Sequence, residues 1–182
     1  MSKYADGEGI TLAQLCEATD TTSDNTAANL ILASYGGPAE LTALARKVGD
    51  SVTRLDRNEP ELNVRLPELL LDTTSPRAMA QTMQKVVLGN ALSAPSRAIL
   101  QQWLLANTTG SKRLKAGLPA AWQIGGKTGT NQSDSNDVAV VWPPDRKPWL
   151  VTAYLADSPA KSDVKDATLA GVGALVQELA TL

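Results

Sequence analysis

The stretch Ile124-Gly125-Gly126-Lys127-Thr128-Gly129-Thr130 has the residue types to hold an anion. A short apolar lead-in from Trp122 to Ile124 runs into two glycines, a lysine, a hydroxyl residue and another glycine. Glycine inside a strand gives up packing and is kept where another backbone or a ligand comes close. Lys127 sets a cation beside that bare backbone, and Thr128 and Thr130 add hydroxyls. Such an edge suits an anionic ligand lying along the strand. Taken alone, the stretch reads equally well as a glycine-rich hairpin strand with a solvated lysine, so the rest of the chain must decide.

Three further polar groups fall on loops or element ends, where chemistry tends to be placed. They are Ser23-Asp24-Asn25 at a helix start, Arg57 to Asn63 together with Asp72, and Arg113 in a basic connection. Each has a plain reading: Ser-Asp-Asn is first a helix N-cap signal, and Glu59 alone is a solvated carboxylate. The chain has no histidine, which removes Ser-His-Asp and Cys-His catalysis and His-ligated zinc. Acid–base work falls to carboxylates, lysine or hydroxyls. The single cysteine, Cys16, cannot form an internal disulfide and reads as a small buried hydrophobe. No metal or cofactor is implied.

The 182 residues and 43% hydrophobic content suit one globular domain with a real core. With four Trp, three Tyr and no Phe, that core must be built from Leu, Val, Ile and Ala. The net charge of −2 and interspersed acids and bases give no basic face for nucleic acid and no polybasic membrane anchor. No apolar run is long enough to span a membrane. Met1 to Gly9 carries no apolar signal region and has the look of a cut or an added start.

The elements that must position these groups follow from periodicity and caps. Thr11 opens a helix with Gln14 in capping-box spacing and Leu12, Leu15 and Cys16 as its stripe. Ser23-Asp24-Asn25 precedes a helix over Thr26 to Ser34. Pro38 starts another, with Leu41, Leu44, Ala45 and Val48 on one side and a stop at Gly49. From Asp50 to Thr74 neither period holds, and Pro60 and Pro67 break any helix. The charges of this stretch can pair internally, which fits a compact loop. Helices then follow from Ser75-Pro76 to Gly89, with Met79, Met83, Val86 and Val87 on one side, and from Pro95 to Leu104. Lys112 to Pro119 is a connection. Three β-rich runs, Trp122 to Thr130, Asp137 to Trp142 and Trp149 to Ala156, predict an antiparallel meander. Asp163 to Leu179 predicts a C-terminal helix covering the sheet through Val164, Ala167, Leu169, Val172, Leu175, Val176 and Leu179. The fold class is thus α+β. A helical portion over 1–106 holds the Ser-Asp-Asn element and the irregular loop 50–74, and 107–182 form a sheet with its C-terminal helix.

In this order the polar elements resemble the class A serine β-lactamases, whose motifs include Ser-Asp-Asn and Lys-Thr-Gly. Thr11 to Cys16, Ser23 to Leu32, Arg57-Asn58-Glu59-Pro60-Glu61-Leu62-Asn63, Asp72 to Met79 and Asn136 to Pro144 also look like that family, from roughly Lys3 onward. The resemblance implies an incomplete β-lactamase/transpeptidase-like fold and β-lactam hydrolysis through a serine acyl-enzyme. Ser23 would pass a proton to the leaving nitrogen, and Asn25 would hold the substrate side chain. Glu59 would activate the deacylating water, with Asn63 sharing it. Arg57 and Asp72 would pin the loop. Lys127, Thr128, Gly129, Thr130 and Arg113 would take the substrate carboxylate, and the Thr130 N–H would be an oxyanion donor. The family is exported, to the periplasm where there is an outer membrane.

One departure matters more than the matches. The family's nucleophile lies in a Ser-x-x-Lys element before Ser-Asp-Asn, and Met1 to Thr22 hold none. Ser158 to Lys161 and Ser162 to Lys165 have the spacing but the wrong order, and Ser162 reads as a helix N-cap. The resemblance therefore implies a chain that matches the C-terminal two-thirds of the family and is inactive until complemented. It also implies an open sheet edge along Trp149 to Ala156, and a Cys16 whose family partner is missing. A second polypeptide, a swap or a homo-oligomer would cover these surfaces. A fragment of a penicillin-binding D,D-peptidase and a non-catalytic complementation partner are the alternatives.

Overall fold

The computed structural model describes residues 9–66 and 68–182. The reading of residues 1–8 and of Pro67 lies outside the described residues. The chain forms two compact units, Met1–Thr82 and Met83–Leu182.

The first unit opens with α1, Leu12–Thr22, started by the predicted capping box: the Gln14 N–H donates to Thr11 Oγ1 and the Thr11 N–H to Gln14 Oε1. Helix α2, Asn25–Ser34, is capped by Asp24, whose carboxylate accepts the Ala27 N–H at 2.9 Å. Helix α3, Pro38–Lys47, follows with proline in its first turn, but it buries none of its residues, and Leu44 is 52% exposed. The expected apolar side of α3 therefore does not form core within this chain. Helix α4 spans Pro76–Met83 and continues as a π-helical turn over Gln84–Leu88, with Gly89 as cap.

Between α3 and α4, loop 50–74 is compact, as expected, with one 3-10 turn at Glu61–Asn63. Asp50 organises its entry by accepting from the Val52 and Thr53 N–H groups and from the Thr53 and Thr82 hydroxyls. Burial alone would raise its carboxyl, yet these four donors hold it at about 2.

The second unit holds α5, Ala94–Leu105, capped by Ser93. It then holds the three-stranded antiparallel meander β1, Gln123–Thr130, β2, Ser135–Trp142, and β3, Trp149–Leu155. Helix α6, Ser162–Thr181, ends the chain. The predicted meander is present, and β3 is an outer strand of this sheet. The core joins Leu114, Ala139, Val141, Val151, Ala153, Leu169 and Val176. Two expectations fail at α6. Lys161 rather than Ser162 is its N-cap. Its buried stripe is Lys165, Leu169, Gly173, Val176 and Ala180, while Val164, Leu175 and Leu179 are more than half exposed. The predicted set mixed two faces of one helix. The connection 112–119 also contains an unpredicted 3-10 turn at Leu114–Gly117, which packs on α6.

Candidate active site

In the first unit, Ser23 ends α1 in the left-handed conformation (φ 58°, ψ 45°), and its N–H donates to Thr19 O. Few non-glycine residues adopt this backbone. It turns the chain so that Asp24 can cap α2 and Asn25 can begin it. Ser23 and Asn25 are exposed. The Ala27 N–H holds the Asp24 carboxyl below its ordinary range.

Glu59 is fixed from two sides. Its carbonyl accepts from Asn29 Nδ2 at 2.8 Å, and its N–H donates to Asn29 Oδ1 at 2.9 Å. Its carboxylate Oε2 accepts from Asn63 Nδ2 at 2.6 Å. Sequence reading did not find Asn29, which lies thirty residues away inside α2. The loop itself is pinned by Arg57 and Asp72, Nε to Oδ2, at 2.6 Å. Asp72 Oδ1 also accepts the Asp56 and Arg57 N–H groups, and Arg57 Nη2 donates to Val64 O at 2.9 Å. The Asp72 side chain is 3% exposed. Arg54 pairs with Asp56 beside it and holds the Asp56 carboxyl low.

In the second unit, the glycines of β1 are met by protein backbone. A Cβ on Gly126 would lie 2.6 Å from Val138 O, and one on Gly125 would lie 3.2 Å from the backbone of Leu105 in α5. The expected close approach is real, and neighbouring strand and helix make it. Lys127 Nζ donates to Thr128 O at 2.7 Å. Thr128 Oγ1 is 2.6 Å from Thr109 Oγ1.

Arg113 is only 7% exposed. Its Nε donates to Asp166 at 2.8 Å, Nη1 to Asn136 O at 2.8 Å and Gly129 O at 3.3 Å, and Nη2 to Thr130 Oγ1 at 2.7 Å. A guanidinium has five N–H donors, so most of its capacity is spent inside the unit. Because Thr130 Oγ1 accepts from Arg113, its own hydrogen remains available to donate. Arg113 is thus tied to the Lys-Thr-Gly strand through Thr130. Asp166, also missed by sequence reading, fixes the guanidinium from α6.

The turn that carries Arg113 is seated by glycines. A Cβ on Gly117 would lie 1.9 Å from Ala170 O, and one on Gly173 would lie 2.2 Å from Leu114 O. Only bare backbone fits between this turn and α6. Behind it, Asp137 of β2 is 4% exposed and stands in register opposite Thr128. Its Oδ2 accepts the Leu114 N–H at 3.2 Å. Burial pushes its carboxyl up to about 6, against the opposing pull of the Leu114 N–H, Arg113, the Val138 N–H and Lys127. It lines a small cavity with Asn107, Gly110, Lys115 and Gly126, among others.

The structure thus gathers the predicted residues into two sets. Glu59 with Asn63, and Arg57 with Asp72, lie in one unit, and Arg113 with Lys127 to Thr130 lies in the other. Ser158 and Lys161 flank α6, and Ser162 and Lys165 lie within it. Lys165 is buried, donating to Gln132 O at 3.0 Å. Cys16 is unpaired and partly buried. Among the described residues there is no acidic, Cys or His cluster that could hold a metal, and no helix is long and apolar enough to cross a membrane.

The model of the beta-lactamase enzyme family matches residues 1–179. A β-lactamase of Streptomyces albus G is 46% identical over 170 residues, which cover 93% of this chain and 54% of that protein. One from Citrobacter koseri is 45% identical, covering 97% of this chain and 60% of that protein. Among solved structures, an ancestral class A β-lactamase superposes with a TM-score of 0.95 at 55% identity, covering 98% of this chain and 69% of the other. The chain belongs to the β-lactamase enzyme family, and its relatives are of class A. It spans less than two thirds of the length of these curated relatives.

Proposed function

We propose that this chain supplies the water-activating and carboxylate-anchoring parts of a serine β-lactamase. The nucleophile comes from a Ser-x-x-Lys element outside residues 1–182, carried by further chain or by a second polypeptide. The observation that carries the reading is Glu59. A base for water must be held within hydrogen-bond reach of its target, and this carboxylate has its backbone clamped by Asn29 and one oxygen held by Asn63.

In deacylation, Glu59 takes a proton from water held with Asn63. The hydroxide attacks the acyl carbonyl, the ester bond to the serine breaks, and the proton returns to the serine oxygen. The Thr130 N–H donates to the oxyanion, an interaction worth about 3 kcal/mol in such sites. Lys127, Thr128 and Thr130, backed by Arg113, take the substrate carboxylate. Ser23 delivers the proton to the leaving nitrogen, and Asn25 holds the substrate side chain. A pinned deacylating base favours this reading over a penicillin-binding transpeptidase, which passes its acyl group to an amine and has no need of fast attack by water. The assembled enzyme works outside the cytoplasm, as an exported protein.

The test is hydrolysis of a chromogenic cephalosporin by the chain, alone and mixed with the nucleophile-bearing segment of a relative. Turnover only in the mixture, lost at least a thousandfold with Glu59→Ala, is the expected result. Turnover by the chain alone sinks the claim about the nucleophile. A stable acyl adduct that Glu59 does not clear favours the D,D-peptidase.

A further inference from the structure

Asp137 is a buried acid that the proposed reaction does not use. It is reached from several elements. The turn at Leu114–Gly117, packed on α6, brings the Leu114 N–H to its Oδ2, with Arg113 and Lys115 on either side of Leu114. Lys127 of β1 acts on it by charge. Its register partners, Thr128 and Ala153, are uncharged, as are Leu104 and Asn107 at the end of α5. The acid Asp166 of α6 lies across Arg113. Asp137 is therefore a buried acid under the influence of the same two cations, Arg113 and Lys127, that belong to or bond with the Lys-Thr-Gly strand.

We propose that Asp137 is a buried counter-charge that makes anion binding at this edge proton-linked: a bound carboxylate favours protonated Asp137, and protonated Asp137 favours the carboxylate. The inference rests on the reading of Lys127, Thr128, Thr130 and Arg113 as a carboxylate site. The sign is fixed by charge. Two anions beside one pair of cations repel through a poorly screened interior, and linkage makes the coupling reciprocal. Protonation removes charge without removing contact, because a neutral carboxyl keeps one oxygen to accept the Leu114 N–H. The arm that carries Arg113 stays in place while the field at the edge grows more positive. Burial already brings Asp137 to titrate near 6, so the linkage acts between mildly acid and neutral pH.

The experiment is an NMR titration of the full chain with a penicillin and with its methyl ester, from pH 7.5 to 5. The penicillin carboxylate stays ionised throughout. Its affinity is expected to rise about threefold to tenfold toward pH 5, following the Asp137 side-chain carbonyl resonance, while the ester shows no such slope. Asp137→Asn, neutral but still an acceptor for Leu114, should bind at the low-pH level across the whole range. A wild-type affinity independent of pH overturns the proposal, as does an Asn variant that keeps the slope. Absence of penicillin binding at every pH overturns the carboxylate reading itself and the linkage with it. Should the variant not fold, the wild type still decides: added penicillin must move the Asp137 midpoint upward, and an unmoved midpoint ends the idea.

Discussion

Loop 50–74 and the Arg113 arm both hold charged side chains still, but their backbones are seated by different means. Around Glu59 the work is done by side-chain hydrogen bonds and ion pairs that span long sequence distances, from Asn29 to Glu59 and from Arg57 to Asp72. Around Arg113 long-range bonds to Asp166, Asn136 O and Thr130 Oγ1 also hold the guanidinium, but the turn that carries it is seated by backbone pressed on backbone at Gly117 and Gly173. A hydrogen-bonded loop can be re-pinned or released one contact at a time. A seat made by the absence of side chains tolerates no addition at all. The polar device would suit the proposed base, which must meet a mobile water, and the packed device would suit a fixed charge.

Filling the seat should do the most damage. Gly117→Val places a branched side chain where even a Cβ would lie 1.9 Å from Ala170 O. The turn must leave α6, at a cost of about 3 kcal/mol or more. All four tryptophans, Trp103, Trp122, Trp142 and Trp149, lie in the second unit, so urea unfolding followed by tryptophan fluorescence reads it directly. A variant with the wild-type midpoint would mean that the turn is not seated as described.

Cutting the loop's pin should cost less and act elsewhere. Arg57→Ala leaves the Asp72 carboxylate buried without its cation, though two N–H groups still serve it. About 2 kcal/mol of local stability is expected to go, below the ~3–5 kcal/mol of a fully buried pair because Arg57 is partly exposed. The readout is faster proteolytic nicking between residues 50 and 74, with the tryptophan transition unmoved. A shift of that transition by the same amount would deny that the two devices are independent.

What the sequence could disclose follows the same division. Local signals were legible: the Thr11–Gln14 capping box, the Asp24 cap, the meander, and the loop made by prolines without periodicity. The Arg57–Asp72 pair and the grouping of Asn63 with Glu59 were reached only through the family resemblance. Asn29 and Asp166 were not found, since a polar residue inside a helix carries no local mark of a partner thirty or fifty positions away. Helix α6 misled because seven apolar residues cover more than one face, and only packing on the sheet and on the Leu114–Gly117 turn selects Leu169, Gly173 and Val176 for burial. Asp137 had a usable signal. It stands two and four positions before Ala139 and Val141 on the inward face of β2, so strand alternation alone places an acid where an apolar residue belongs.

Acid should separate the two regions more gently than either substitution, and with opposite signs. Asp50 is depressed to about 2 in the fold. Its contribution is present above the ordinary carboxylate range and is lost as pH falls from about 4 toward 2. Asp137 is raised to about 6. Its charged form is the one disfavoured in the fold, so the unit is most stable where Asp137 is protonated and weakens as pH rises from about 4 through 6. The difference in stability between wild type and Asp137→Asn, read by tryptophan fluorescence, should therefore be small at pH 4. By pH 7.5 it should favour the Asn variant by about 1–2 kcal/mol, since the neutral amide avoids the desolvated charge. For Asp50→Asn the difference should run the other way: the variant is weaker at pH 7, by about 1 kcal/mol after solvent screening, and equal to wild type near pH 2. Hydrogen exchange at the Val52 and Thr53 amides, which donate to Asp50, reads this. Parallel pH slopes for the two variants would mean that the two buried acids are held alike, and the contrast between the two regions would fall with it.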